Sequence, residues 1–127
     1  MNQPDGEPAA AVARAVAQFN AGQFWECHET LEDFWGAEQG PLRAFYHGFI
    51  QVAAAFVHVQ RLNWPGATRL LHDGMEKLEP FQPECLGLDV AALLAAVRPW
   101  RDELAARGAE GMRLIALALP RARLSAE

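Results

Sequence analysis

Serine is almost missing from this chain: Ser125, near the end of its 127 residues, is the single one. A serine nucleophile with its base therefore has nowhere to sit in the body of the sequence. Cysteine is scarce as well. Cys27 and Cys85 are the full complement, their separation fits no metal-ligand spacing, and one possible pair is not a disulfide framework. The expectation is two reduced, largely buried thiols in a cytoplasmic protein. Long apolar runs are also lacking. Val52 to Val57 falls far short of the ~20 residues a membrane span requires, and Met1 to Pro8 holds no apolar signal core. Positive charge is thin and scattered: the net charge is -5, and Arg121-Ala122-Arg123 is too short to form a patch. Nucleic acid and anionic membrane are excluded on that balance, because both reward clustered Lys and Arg. Glycines stand singly, so no phosphate-cradling loop is present.

What remains is the composition of an ordinary globular domain, with 51% hydrophobic and 21% charged residues, long enough for one core without staples. Strand-like alternation is weak, whereas Ala and Leu recur at helical spacing almost throughout. The sequence is read as all-α, a compact antiparallel multi-helix array of about five or six helices in a single domain. That domain covers residues 9–119, between a disordered tail at 1–8 and a C-terminal tail at 120–127.

The first helix opens at Pro8 or Ala9 and ends near Phe19, broken by Asn20-Ala21-Gly22. A second runs from Gln23 to Ala37. Gly36 to Pro41 connects it to a long third helix that reaches about Leu62. Asn63 is the expected N-cap of a fourth, which buries Ala67, Leu70, Leu71, Met75 and Leu78 and stops before Pro80. Residues 80–88 read as loop and Asp89 as the cap of a fifth helix. Pro99 should kink or restart that helix, leaving Trp100 to Arg107 as a separate segment. Residues 111–119 make a final helix or turn. The segments before Phe24 and before Ala67 are loosely alike, as in tetratricopeptide units, but share few identities, and a plain antiparallel array is preferred.

The richest stretch is Phe19 to Trp35, where a tight turn feeds a helix carrying a His and several Glu among large aromatics. On a helical wheel Phe24, Leu31 and Trp35 form the apolar face, with His28 beside Trp35 and Glu32 at the border. Glu26, Glu29 and Asp33 point to solvent. On the third helix His47, Gln51 and His58 share a side with the small residues Ala44, Gly48, Ala54 and Ala55, which let a neighbouring helix approach closely. An antiparallel hairpin then sets His28 against Gln51 and Glu32 against His47, with His58 approaching the Asn20–Gly22 turn.

The simplest reading of this cluster is a satisfied interior network, because buried polar groups must find partners whatever they do. A sharper one is a divalent-metal or small-ligand site built on His28, Glu32 and His47, with Gln51 or Glu29 nearby; such a mixed nitrogen–oxygen set suits zinc, iron or manganese. It is not a zinc-protease H-E-x-x-H pattern, since Glu32 stands where the second histidine belongs. Cys27 and His28 diverge by 100° and cannot act as nucleophile and base together. Arg69, Arg98 and Arg101 read as solvated surface residues.

The pattern Phe19-Asn20-x-Gly22-x-Phe24-x-Glu26-x-His28-Glu29-x-Leu31-Glu32-x-x-Trp35, followed by Gly48-Phe49-Ile50-Gln51-x-Ala53, His58, Asn63-x-x-Gly66-Ala67 and Leu70-Leu71, resembles the bacterial and archaeal family known as domain of unknown function 309. The resemblance spans about Phe19 to Leu94. It implies an all-helical single domain that self-associates, with no activity to carry over, and draws attention to Glu26, His28, Glu29, Glu32, Gln51 and His58 as motif positions. His47 stands where the family pattern usually has glutamine, a departure that bears on any ligand set built on it.

Two functions follow as expectations. One is an interaction or structural module, a homo-oligomer in which exposed aromatics such as Trp64 or Trp100 bury against the partner. The other is a divalent-metal or small-ligand protein, with hydrolysis by Glu29 or Glu32 as general base its furthest extension.

Overall fold

The third helix is buried almost all round, and the rest of the chain is arranged about it. The structure is a computed structural model that describes residues 6–107 and 119–125. In chain order it contains α1 (Gly6–Asn20), α2 (Phe24–Ala37), α3 (Leu42–Gln60), α4 (Trp64–Leu78), a 3-10 turn (Glu79–Phe81), the strands β1 (Glu84–Cys85) and β2 (Leu88–Asp89), and α5 (Val90–Arg107). The all-α reading holds. Among the described residues no helix is long and apolar enough to cross a membrane.

Each helix forms because its apolar residues recur every three or four positions and so share a face. α1 buries Val12, Ala15, Val16 and Phe19, and α2 buries Phe24, Cys27 and Leu31. α3 buries ten side chains or backbone positions, from Phe45 to Val57. Aromatic rings tie the layers together. Phe19 meets Phe24 edge-on at 5.0 Å, Phe24 meets Phe56 at 5.4 Å, and Phe56 meets Trp100 edge-on at 5.2 Å. Rings from α1, α2, α3 and α5 thus form one chain through the core.

The two helix hairpins close on the same turn. After α1 the Gln23 amide donates to the Gln18 carbonyl (2.9 Å) and Gly22 to Phe19 (3.0 Å). After α3 the Asn63 amide donates to His58 (2.8 Å) and Leu62 to Val59 (3.0 Å). Both follow the Schellman pattern, which needs a left-handed residue: Gly22 at φ 76° and Leu62 at φ 59°. Asn63 caps α4 as expected, its side chain accepting from the Gly66 amide at 3.2 Å. Asp89 caps α5, accepting from Ala92 at 2.9 Å.

α3 and α4 cross at two glycines. A Cβ on Gly74 would lie 2.8 Å from the Gly48 carbonyl oxygen and 2.9 Å from the Val52 nitrogen, and one on Gly48 would lie 3.0 Å from Leu78 and Lys77 side-chain atoms. The close approach expected of the small-residue stripe on α3 is present at Gly48, and the helix that makes it is α4.

Four expectations need correcting. Pro99 does not restart the helix, and Trp100 to Arg107 is not a separate segment: α5 is a single helix from Val90 to Arg107 with Pro99 inside it. A proline removes one backbone donor, and Trp100 and Leu104, both buried, hold the second half on the core. The loop at 80–88 contains a hairpin, β1 pairing antiparallel with β2 about Leu86 and Gly87, both at positive φ. The first helix already begins at Gly6. The C-terminal segment is bound rather than trailing: Asn20 clamps Ala122, donating to its carbonyl at 3.0 Å and accepting from its amide at 2.7 Å. Leu124 also bridges to Leu88. The expected helix at 111–119 lies outside the described residues except for Leu119, and so do residues 1–5 of the expected N-terminal tail.

The crossing makes a contrast testable. Gly74→Ala should lower the urea-unfolding free energy by about 1–3 kcal/mol through overpacking against backbone. Gly36→Ala, on α2 with nothing within 4 Å of the added carbon, should raise it by up to about 1 kcal/mol through helix propensity. Equal effects at the two positions would contradict the close crossing.

Candidate functional site

One ridge of α2 carries Trp25, His28, Glu32 and Trp35, spaced by three, four and three residues and therefore in line along the helix. α3 lies alongside and contributes Arg43, His47 and Gln51 in steps of four. The antiparallel packing sets a similar group at each end. Trp35 stacks on the His47 ring with centroids 4.8 Å apart, and the Arg43 guanidinium lies over Trp35 at 4.7 Å. At the other end Trp25 meets the His28 ring at 4.9 Å, with Arg61 over it at 5.9 Å. A guanidinium over an indole is held by the negative face of the ring.

Between these ends His28 and Glu32 form the pair the sequence suggested, Nε2 to Oε2 at 2.7 Å, with the side chains 20% and 51% exposed. The ring is thus turned inward and the carboxylate outward. Three side-chain atoms on this face are buried with no hydrogen-bond partner among the described residues: Nδ1 of His28, Nε1 of Trp35 and Oε1 of Gln51. The expected interior network is therefore only partly made. The His28–Glu32 bond exists, whereas Gln51 Oε1 and the other nitrogen of His28 have no partner among the described residues.

The remaining candidate residues separate from this cluster. His47 faces Trp35, not Glu32. Burial first, then the nearby positive charges of Lys77 and Arg43, hold its pKa below the ordinary histidine value, against an opposing pull from Asp73. His58 does not reach the Asn20–Gly22 turn. Its Nδ1 lies 2.9 Å from the side-chain nitrogen Nδ2 of Asn63, which makes it a brace for the α4 cap, and Gln60 donates to the Gly22 carbonyl instead, at 3.1 Å. Glu26 and Glu29 are exposed. Glu26 sits in the first turn of α2, where a carboxylate favours the helix dipole.

His28, Glu32 and His47 do not gather as a ligand set. Among the described residues, the three ligand-type side chains whose donor atoms lie within 4.8 Å of one another are His72, Asp73 and Glu76. These are neighbouring polar residues of α4, His72 and Glu76 exposed and Asp73 half-buried. Trp64 and Trp100, expected as exposed anchors, are core residues at 6% and 3% exposure, and the exposed tryptophan is Trp25 at 49%. Both lie on the apolar side of their helices, which indole hydrophobicity alone does not reveal.

Sequence reasoning passed over Arg43 and Lys77. With Trp35, Pro41, Ala44 and His47 they line an open cleft of about 530 Å³. Arg43 and His47 at i and i+4 were a visible signal. Lys77 was not, because only the α3–α4 crossing brings it there.

Comparison with known proteins fits the motif. The sequence profile of the family described as Domain of unknown function (DUF309) matches residues 12–70, and the chain carries that family's domain over this stretch. The chain is also similar to a Bacillus subtilis (strain 168) protein named Uncharacterized protein YpuF, 40% identical over 93 residues. The match covers 70% of this chain and 53% of that relative, so the chain spans about half the length of the curated protein it matches. The matched family residues run from α1 into α4 and include the whole α2–α3 face.

Cys27 lies under the same face, fully buried, and burial pushes its thiol up from 9.0 to about 12. It stays protonated and unreactive at neutral pH. A folded-state pKa raised in this way contributes stability below the unfolded value and loses it above, because only the unfolded chain ionises there. Unfolding free energy should therefore fall above about pH 9 by up to about 1.4 kcal/mol per unit, and Cys27→Ala should remove that slope. Urea titrations from neutral pH to pH 10 check it, and a slope unchanged by the substitution would contradict the assignment.

Proposed function

We propose that this chain is an interaction module whose recognition surface is the α2 ridge and the adjoining side of α3, and that it binds a second copy of itself there. The observation that carries this reading is Trp25, 49% exposed on the α2 ridge against the His28 ring; it supplies the large aromatic anchor that interface hot spots favour. Leu62, 51% exposed and held at φ 59°, adds apolar area beyond Arg61.

The second reading places a divalent metal on His28 and Glu32, with hydrolysis as its extension. The observation in its favour is the 2.7 Å approach of Nε2 and Oε2. Two protein donors fall short of the three that catalytic zinc sites use, and Cys27 offers no nucleophile. Stoichiometric metal in the purified protein, lost in His28→Ala, would reverse the ranking.

Sedimentation velocity tests the first reading. The wild-type chain should sediment as a dimer, and Trp25→Ala should weaken the dimer by about ten-fold or more while leaving the unfolding midpoint close to wild type, since no core contact is removed. A wild type that stays monomeric at every concentration, or a variant that dimerises as tightly, contradicts it.

A further inference from the structure

A cationic cleft in a chain of net charge -5 calls for an explanation of its own. The cleft lies where the end of α2, the first turns of α3 and the last turn of α4 meet. Its charged lining is basic: Arg43 and Lys77, with His47 between them and no carboxylate. Among the described residues, neither cation has an acidic side chain within 4.0 Å, since the ion pairs involve His28, His72 and Arg101.

The Arg43 guanidinium is already oriented. One terminal nitrogen donates to the Trp35 carbonyl at 2.6 Å and lies 3.4 Å from that of Glu38, carbonyls from the end of α2 that lack helical partners. Its plane is held over the Trp35 ring at 4.7 Å. Among the described residues the remaining donors of the fork make no bond, and a fork of this kind matches the oxygens of a phosphate or carboxylate. Lys77 is placed by the backbone, its stem packed at the Gly48–Gly74 crossing. The cleft is far larger than a bare ion needs, and its wall includes Pro41 and Ala44.

We propose that this cleft binds a small organic phosphate, its phosphoryl group held by the free edge of Arg43 and the ammonium of Lys77, its apolar body along Pro41 and Ala44. Two fixed cations suit a compact dianion better than a single carboxylate. His47 adds a pH dependence. The charged groups acting on it are Arg43 from its own helix and Lys77 and Asp73 from α4, while α2 presents the Trp35 ring. In the free protein burial, then Lys77 and Arg43, hold the His47 pKa below the ordinary histidine value. An arriving dianion reverses the local field and favours the imidazolium, so binding takes up a proton and tightens as the pH falls. This inference does not rest on self-association, and its readout is ligand binding.

The test is isothermal titration calorimetry of the full chain with phenyl phosphate and with inorganic phosphate, at low salt. Phenyl phosphate should bind saturably and about ten-fold more tightly than inorganic phosphate, because only the ester also fills the apolar wall. Arg43→Met and Lys77→Met should each weaken it by about ten-fold or more, with folding checked by circular dichroism. Lys77→Met serves as the second variant should Arg43→Met disturb the end of α2. Arg98→Met, on exposed α5 surface, should bind as wild type. The ester's own second ionisation near about pH 6 acts on every variant alike, so the ratio of wild-type to His47→Gln affinity should fall from about pH 6 to about pH 8. The proposal is overturned by heats of dilution alone, by inorganic phosphate binding as tightly as the ester, or by equal losses in Arg98→Met and the cleft variants.

Discussion

The contact on which the rest of this structure depends is the one between Gly48 and Gly74. Two helices whose backbones come this near exclude any side chain from the crossing: a Cβ on Gly74 would lie 2.8 Å from the Gly48 carbonyl oxygen, and one on Gly48 would lie 3.1 Å from that of Gly74. The crossing fixes the height and rotation of α4 on α3. That in turn decides which residues of α4 look toward the α2–α3 hairpin: Lys77 and Asp73, on opposite sides of the charge balance around His47. α3 is thereby covered by α2 along one side and by α4 along another, and its polar residues are left in the seams between them.

Those seams explain why a chain of modest polarity holds unpaired atoms under its surface. On α2 the ridge of Trp25, His28, Glu32 and Trp35 has apolar neighbours on both flanks, so His28 and Trp35 are half buried whether or not each of their polar atoms finds a bond. The protein partly satisfies them. Glu32 takes one nitrogen of His28, and the end of α2 takes Arg43. The fold meets these needs with exposed groups and leaves the inward-facing atoms open. A chain selected for stability alone gains by replacing such atoms with apolar ones. The exposed Trp25 on the same ridge is why that face is read as a place of contact.

Much of this was legible before any coordinates. Asn63 and Asp89 read as caps because a side-chain acceptor stood just before an apolar periodic run, and both cap. The inward turn of His28 followed from its place beside the apolar face of α2. What escaped the sequence depended on packing. The hairpin at Glu84–Asp89 has strands of two residues, too short to show any period. Leu62 gives no hint of a left-handed turn, since glycine or asparagine is the usual signal there. The facing of α2 and α3 was misjudged by about one turn, which exchanged Glu32 for Trp35 opposite His47 and dissolved the proposed ligand trio. Lys77 joins Arg43 from the next helix, 34 residues further along the chain, and no local pattern marks it.

The histidine rings report on this arrangement from both ends of the face, and long-range nitrogen–proton NMR correlation across a pH titration reads them directly. With the seams built as described, His28 in its neutral form carries its proton on Nε2, toward Glu32, and His47 titrates below the ordinary histidine range under the influence of burial, Lys77 and Arg43. A proton resident on Nδ1 of His28, together with a His47 that titrates in the ordinary range, would mean that the three helices do not meet in this way.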